Sequence, residues 1–174
     1  AGRSQSFYDF TSNAALAYNG GSIVTAFGSN TGDGGKQVLA YTAQLGNGLS
    51  ATLSLEDPRN GLVTQYATAG TATTASTTSG ANGNKFADIV GNLRLDQAWG
   101  SAQVAGALHD ASANYYDSAL AAHPGDKWGY AVSTGMKVNL PMLGNGDYID
   151  AQFNYTKGAI KYASNGSAYA RTSG

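Results

Sequence analysis

The sequence contains no cysteine, which excludes disulfide frameworks, thiolate zinc sites and thiol catalysis together. The same lack suits a route through an oxidising periplasm, where stray thiols are a liability. Proline is down to 3 residues and charged residues make up only 12% of the chain. The Leu, Glu, Lys and Arg that build soluble helices are therefore sparse. No run of about 18 or more apolar residues is present, so the chain carries no transmembrane helix. Net charge is -1, without the basic surplus of a nucleic-acid binder, and no nucleic-acid partner is expected. His109 and His123 lack the neighbouring His or Glu spacing of a metal site, and both read as solvated polar residues. Phosphate-cradling loops and nucleophile elbows are missing too. No catalysis, cofactor or metal is expected. The opening Ala-Gly-Arg is not a signal peptide and reads as the interior of a structure.

What fills the space is Gly, 24 of 174 residues, together with Thr, Ser, Asn, Ala and Tyr, which favour strands and turns. The mean hydropathy of -0.25 averages over two populations that alternate along the chain. Leu39, Tyr41, Ala43 and Leu45 are interleaved with Val38, Ala40, Thr42 and Gln44. After Asn47-Gly48 the rhythm resumes, with Leu49, Ala51, Leu53 and Leu55 against Ser50, Thr52, Ser54 and Glu56. Period-2 alternation on both sides of an Asn-Gly pair predicts a hairpin with a tight turn. A second hairpin pairs Ile89–Leu95 with Ala102–Leu108 around Trp99-Gly100. A third pairs Trp128–Val138 with Ile149–Tyr155 around Pro141 to Gly146.

The connections alternate as well. Short turns fall at 46–48, 98–100 and 140–147, and long Gly/Ser/Thr/Asn-rich segments at 10–36, 57–85, 110–126 and 157–174. Short turns on one rim and long loops on the other are the layout of a transmembrane antiparallel β-barrel. In that architecture the Leu, Val and aromatic face meets lipid and the polar face lines a water-filled lumen. Tyr41, Trp99, Trp128, Tyr130, Tyr148 and Tyr155 would suit interfacial girdles. A soluble β-sandwich gives the same alternation, but has no reason to sort its loops by length. The lumen face would carry Glu56, Asp88, Arg94, Asp96, Lys127, Lys137 and Asp150, setting the field across a pore. Within the lumen face, Asn92 reads as a position that tolerates Arg. Residues 158–174, with Asn165-Gly166 between short alternating flanks, suggest a hairpin on the long-loop rim. The segment 67–83, nearly all small and polar, reads as a solvated loop.

Several stretches resemble the alphaproteobacterial trimeric general porins: Gly2-Arg-Ser-Gln-Ser-Phe-Tyr-Asp-Phe10, Leu39 to Asp57, Asp88 to Gln103, Gly125-Asp-Lys-Trp-Gly129 and Lys137-Val-Asn-Leu-Pro-Met142. The resemblance covers most of the chain. It implies a sixteen-stranded barrel, a homotrimer in bacterial outer-membrane lipid, and a third loop folded into the lumen as the constriction. Residues 1–174 would then be a central portion of such a barrel, about six strands and a stub. Physics agrees, because six strands cannot close a water-filled barrel and an open edge leaves backbone groups unsatisfied in hydrocarbon. By resemblance, residues 10–36 are the constriction loop, and Asp9 and Asp33 are candidates for its acidic side. The function expected is passive diffusion of small hydrophilic solutes and ions. The alternatives are a solute-specific outer-membrane channel and a soluble β-sandwich binding module.

Overall fold

The structure, a computed structural model, describes residues 1–10, 35–58, 62–64, 86–110, 127–163 and 168–170. One antiparallel sheet of seven strands dominates it, curled into a half-barrel. Strand β1 (Gly2–Ser4) is short; β2 (Lys36–Gly46), β3 (Leu49–Glu56), β5 (Asp88–Gln97), β6 (Gly100–Asp110), β7 (Trp128–Asn139) and β8 (Tyr148–Lys157) are long. They stand side by side in chain order, each hydrogen-bonded to the next. The three expected hairpins are all present, and the stub is β1. Strand β4 (Leu62–Thr64) lies outside this sheet and pairs, in parallel, with β9 (Ala168–Ala170).

The turns follow from local chemistry. Asn47 and Gly48 take φ of 51° and 76°, the doubly left-handed geometry of a two-residue hairpin turn that matches strand twist. Ala98 and Trp99 form the next short turn, between the paired residues Gln97 and Gly100. The third connects Asn139 to Tyr148, closed by the Leu140 N–H donating to Asp147 O at 2.8 Å. All three short turns lie on one rim, and the connections 5–35, 57–87, 111–127 and the chain beyond β8 leave from the other. The loop sorting read from the sequence is therefore present.

Register fixes which side chains share a face. Leu53, Gly91, Gly106 and Val132 follow one another across β3, β5, β6 and β7, and Val132 faces Tyr155 on β8. This face is bare. Tyr41 is 75% exposed and Phe153 68%, and Leu39, Leu53, Leu93, Val104, Val132 and Met136 are exposed with them. On the opposite face Thr52, Ser54, Glu56, Asp88, Ser101, Gln103 and Ser133 are buried. Apolar outside and polar inside is the reverse of a soluble protein, and an apolar surface of this extent needs hydrocarbon to cover it. No helix among the described residues is long and apolar enough to cross a membrane, which leaves the strands to do so. Trp128, Tyr130 and Tyr155 stand exposed at the long-loop ends of their strands and Trp99 at the short-turn rim, as girdle residues should. Tyr41 departs from that expectation, because it lies mid-strand opposite Leu53. So does Tyr148, whose ring turns to the inner face and lies under Lys137.

The hairpin expected over 158–174 does not form. Ile160–Tyr162 make a 3-10 turn, and Ala168–Ala170 pair with Leu62–Thr64 rather than with their own neighbours; residues 164–167 lie outside the described residues. Gly158, at φ 71°, bends the chain inward after β8. Tyr162 is then buried against the sheet's inner face, and that burial outweighs a short local strand pairing.

Arginine at Leu93 or Val132 should cost about 2–4 kcal/mol near the bilayer midplane. Arginine at Gln44, exposed on the polar face, should be nearly neutral. Denaturant titrations of the protein folded into vesicles measure both, and equal costs would contradict the assignment of faces.

Candidate functional site: the inner wall of a channel

The concave face is built in cross-strand rows. Nearest the short turns, Asp96, Ser101, Lys137 and Asp150 are successive register partners on β5, β6, β7 and β8. The next row is Ser50, Arg94, Gln103, Gly135 and Gln152. Above it come Thr52, Asn92, Ala105, Ser133 and Asn154, then Ser54, Val90, Ala107, Ala131 and Thr156. Glu56 and Asp88 face each other at the long-loop rim.

The lower rows carry charge in opposed pairs. Arg94 chelates Asp96, with Nε 2.9 Å from Oδ2 and Nη2 2.9 Å from Oδ1. The two side chains are 38% and 53% exposed, so the pair contributes no more than about 1 kcal/mol of stability. Its consequence is the local field. Lys137 lies opposite Asp150 in register, and its Nζ sits 3.8 Å from the centre of the Tyr148 ring. The cations whose charges reach Asp150 are Lys137 and Arg94. Two cations and two carboxylates thus share one stretch of wall.

The upper rows differ from what the sequence suggested. Val90, Ala105, Ala107 and Ala131 form an apolar floor there, covered by Tyr8 and Tyr162, both fully buried. The two rings meet edge to face with centroids 4.7 Å apart, a contact worth about 0.5–1.5 kcal/mol beyond its burial. Tyr162 Oη donates to Asp88 Oδ2 at 2.6 Å, and His109 Nδ1 lies 2.8 Å from Asp88 Oδ1. His109 is therefore no solvated residue: its side chain is 12% exposed, because the same aromatic cover closes over it. His123 lies outside the described residues. The signal that could have revealed the cover was the run of small residues on the polar face of β6 and β7, which leaves room for rings.

Tyr8 arrives by an inward strap. After β1 the chain does not leave the rim outward but crosses the inner wall as Ser6 to Phe10. Five strands of the sheet, β3 and β5 to β8, hold its backbone. Phe7 N–H donates to Glu56 Oε1 at 3.0 Å, and Asn92 Nδ2 donates to Phe7 O at 2.7 Å. Gln103 Nε2 and Ser133 Oγ each donate to Tyr8 O, both at 3.4 Å. Phe10 N–H donates to Gln152 Oε1 at 3.1 Å. From Phe7 to Phe10 is three residues, at most about 11 Å of chain, so the strap goes down the wall toward the Arg94 row with the Glu56 and Gln152 side chains reaching to meet it. Asn92, expected to tolerate Arg, is instead one of the strap's holders.

The other candidates fall as follows. Glu56 is 1% exposed, accepting from Ser54 Oγ at 2.8 Å as well as from Phe7. Asp9 lies half-buried on the strap, its N–H donating to Ser6 O at 3.2 Å. Lys127 is exposed just before β7. Asp33, and residues 11–34 of the long connection, lie outside the described residues. No three His, Asp or Glu side chains among the described residues converge as metal ligands would.

An apolar outer face, a polar inner one and sorted loops define a membrane-spanning β-barrel wall that encloses water. The sequence model of the porin subfamily matches residues 1–172, and the chain belongs to that family. Its function is that of an outer-membrane porin channel. Neither a curated protein nor a solved structure matches the chain significantly.

Tyr162→Phe removes the donor to a buried carboxyl and should cost about 1–3 kcal/mol. Ile160→Ala, on the exposed side of the same turn, should cost much less. The temperature at which the folded protein loses its compact gel mobility reads both; equal shifts would deny the Tyr162–Asp88 bond its part.

Proposed function

We propose that this wall belongs to a general diffusion pore of a bacterial outer membrane, akin to the alphaproteobacterial general porins and assembled as a homotrimer. Small hydrophilic solutes and ions pass it by diffusion, without chemistry and without a cofactor. The observation that carries this reading is the charge pattern of the lower rows. Arg94 is matched by Asp96 and Lys137 by Asp150, and the other members of those two rows, Ser50, Ser101, Gln103, Gly135 and Gln152, are uncharged. Such a wall discriminates by size and only weakly by sign. A solute-specific channel would instead line its path with an unmatched basic ladder or a run of aromatic rings.

In this reading residues 10–36 are the constriction loop, and the strap is its docked beginning. The length of the connection supports it, because an unstructured linker of that size is uncommon without a task. So does the direction of Ser6 to Phe10, which runs into the lumen. Asp9 and Asp33 supply the acidic side of the narrowing, with Arg94, Asp96, Lys137 and Asp150 on the wall and Lys127 at the rim. Glu56 acts at one remove, by holding the strap.

Single-channel recording on the complete porin tests the reading. Deletion of residues 14–28 should raise conductance, and Lys137→Glu should move the reversal potential in a salt gradient toward cation preference. Unaltered conductance with weakened trimers on gels would instead assign the loop to a clasp between subunits.

A further inference from the structure

The strap's last described residue is seated in an unusual way. On the inner face of β7, Gly135 interrupts a row otherwise made of Ser50, Arg94, Gln103 and Gln152. A Cβ built at Gly135 would overlap the ring and Cβ of Phe10. Gly135 has an ordinary strand backbone, since its φ is not among the positive ones. Conformational need therefore does not account for glycine here, and glycine within a strand costs stability relative to a residue with a side chain. What the position supplies is space. The residue that occupies it is held in two further ways: the Phe10 backbone N–H donates to Gln152 Oε1 at 3.1 Å, and the Arg94 guanidinium carbon lies 5.5 Å from the ring centre. Arg94 is in turn chelated by Asp96.

We propose that Gly135 is a socket for Phe10, and that this ring-in-socket contact is the positioning device that fixes how far the inward segment stands from the wall and so sets the open area of the channel. The contact rests on the reading of the inward segment as a constriction, and it adds the residues that hold that segment in place. Unlike the hydrogen bonds above it, it depends on shape. The holders Asn92, Gln103 and Ser133 grip backbone carbonyls and would accept almost any strap sequence. Gly135 accepts the ring only while it has no side chain of its own. The same contact backs Arg94 with an aromatic face, so that the guanidinium is fixed by Asp96 along its own strand and by Phe10 from above.

The test uses the absence of native cysteine. In the complete porin, Phe10→Cys should react slowly with a charged thiol reagent, because its Cβ lies in the space left by Gly135, and quickly once Gly135→Val is added. Gly135→Val should then expel the ring and raise single-channel conductance, although it adds bulk to the wall. Phe10→Gly should do the same without touching the wall, and the double variant should add nothing further, because both changes break one contact. Gly135→Ala serves if the valine variant does not fold. Equal labelling with and without Gly135→Val, or a conductance that falls with side-chain size at 135 and ignores Phe10→Gly, would overturn the socket. The broader reading fails separately: deletion of residues 14–28 would then leave conductance unchanged while Gly135→Val still speeds labelling at position 10.

Discussion

A backbone in hydrocarbon has no water to bond with, and nearly everything about this molecule follows from that constraint. Each peptide N–H and C=O must find a partner in a neighbouring strand. Six strands of eight to twelve residues, β2, β3 and β5 to β8, running side by side, meet the demand. Once the ladder is fixed, alternation is fixed with it: one set of side chains must suit lipid and the other is free to suit water. The outer face accordingly carries Leu, Val, Phe and Met with no packing partner, and the inner face carries the polar groups. Stability comes from the ladder and from lipid, so the interior need not be a hydrophobic core.

That freedom is what the inner wall uses. Its upper part is filled by chain, with Tyr8 and Tyr162 packed over alanines and a carboxyl–imidazole pair sealed beneath them. Its lower part is left to solvent and to Arg94, Asp96, Lys137 and Asp150. The division is made by two segments that turn inward at the same rim, the strap after β1 and the 3-10 turn after β8. They meet at the Tyr8–Tyr162 contact, so chain regions about 150 residues apart in sequence are braced against each other on the wall.

The sheet was legible in the sequence because its rules are local. Period-2 alternation identified both faces of every long strand, and Asn47-Gly48 announced its own turn. The inner cover was not legible, because it depends on contacts between distant segments. Nothing near His109 reveals that Asp88 and Tyr162 close around it, and nothing near Glu56 reveals that it holds Phe7. The Asn165-Gly166 hairpin misled for the same reason. Its flanks alternate as a hairpin should, yet Tyr162 has a better partner across the lumen. Parity correctly placed Glu56 and Asp88 on the inner side, but parity does not say whether an inner residue meets water or protein.

The two rims also differ in how the backbone ties them. At the short-turn rim the first two turns are each sewn to the next strand: Asp96 N–H bonds to Gly48 O and Asn139 N–H to Trp99 O, both at 2.9 Å. A residue inserted there would break the seam and shift the register of two strands together. At the opposite rim the bonds of this kind among the described residues reach only the first residues of a connection, as where Asp57 N–H bonds to Gln37 O at 2.9 Å, so length added further along leaves the ladder untouched. Over evolutionary time the lengths of these two sets of connections should therefore drift at very different rates. The stitched rim is held to a nearly fixed count, while the other can accept insertions, deletions and exchange of surface sequence without disturbing the wall beneath.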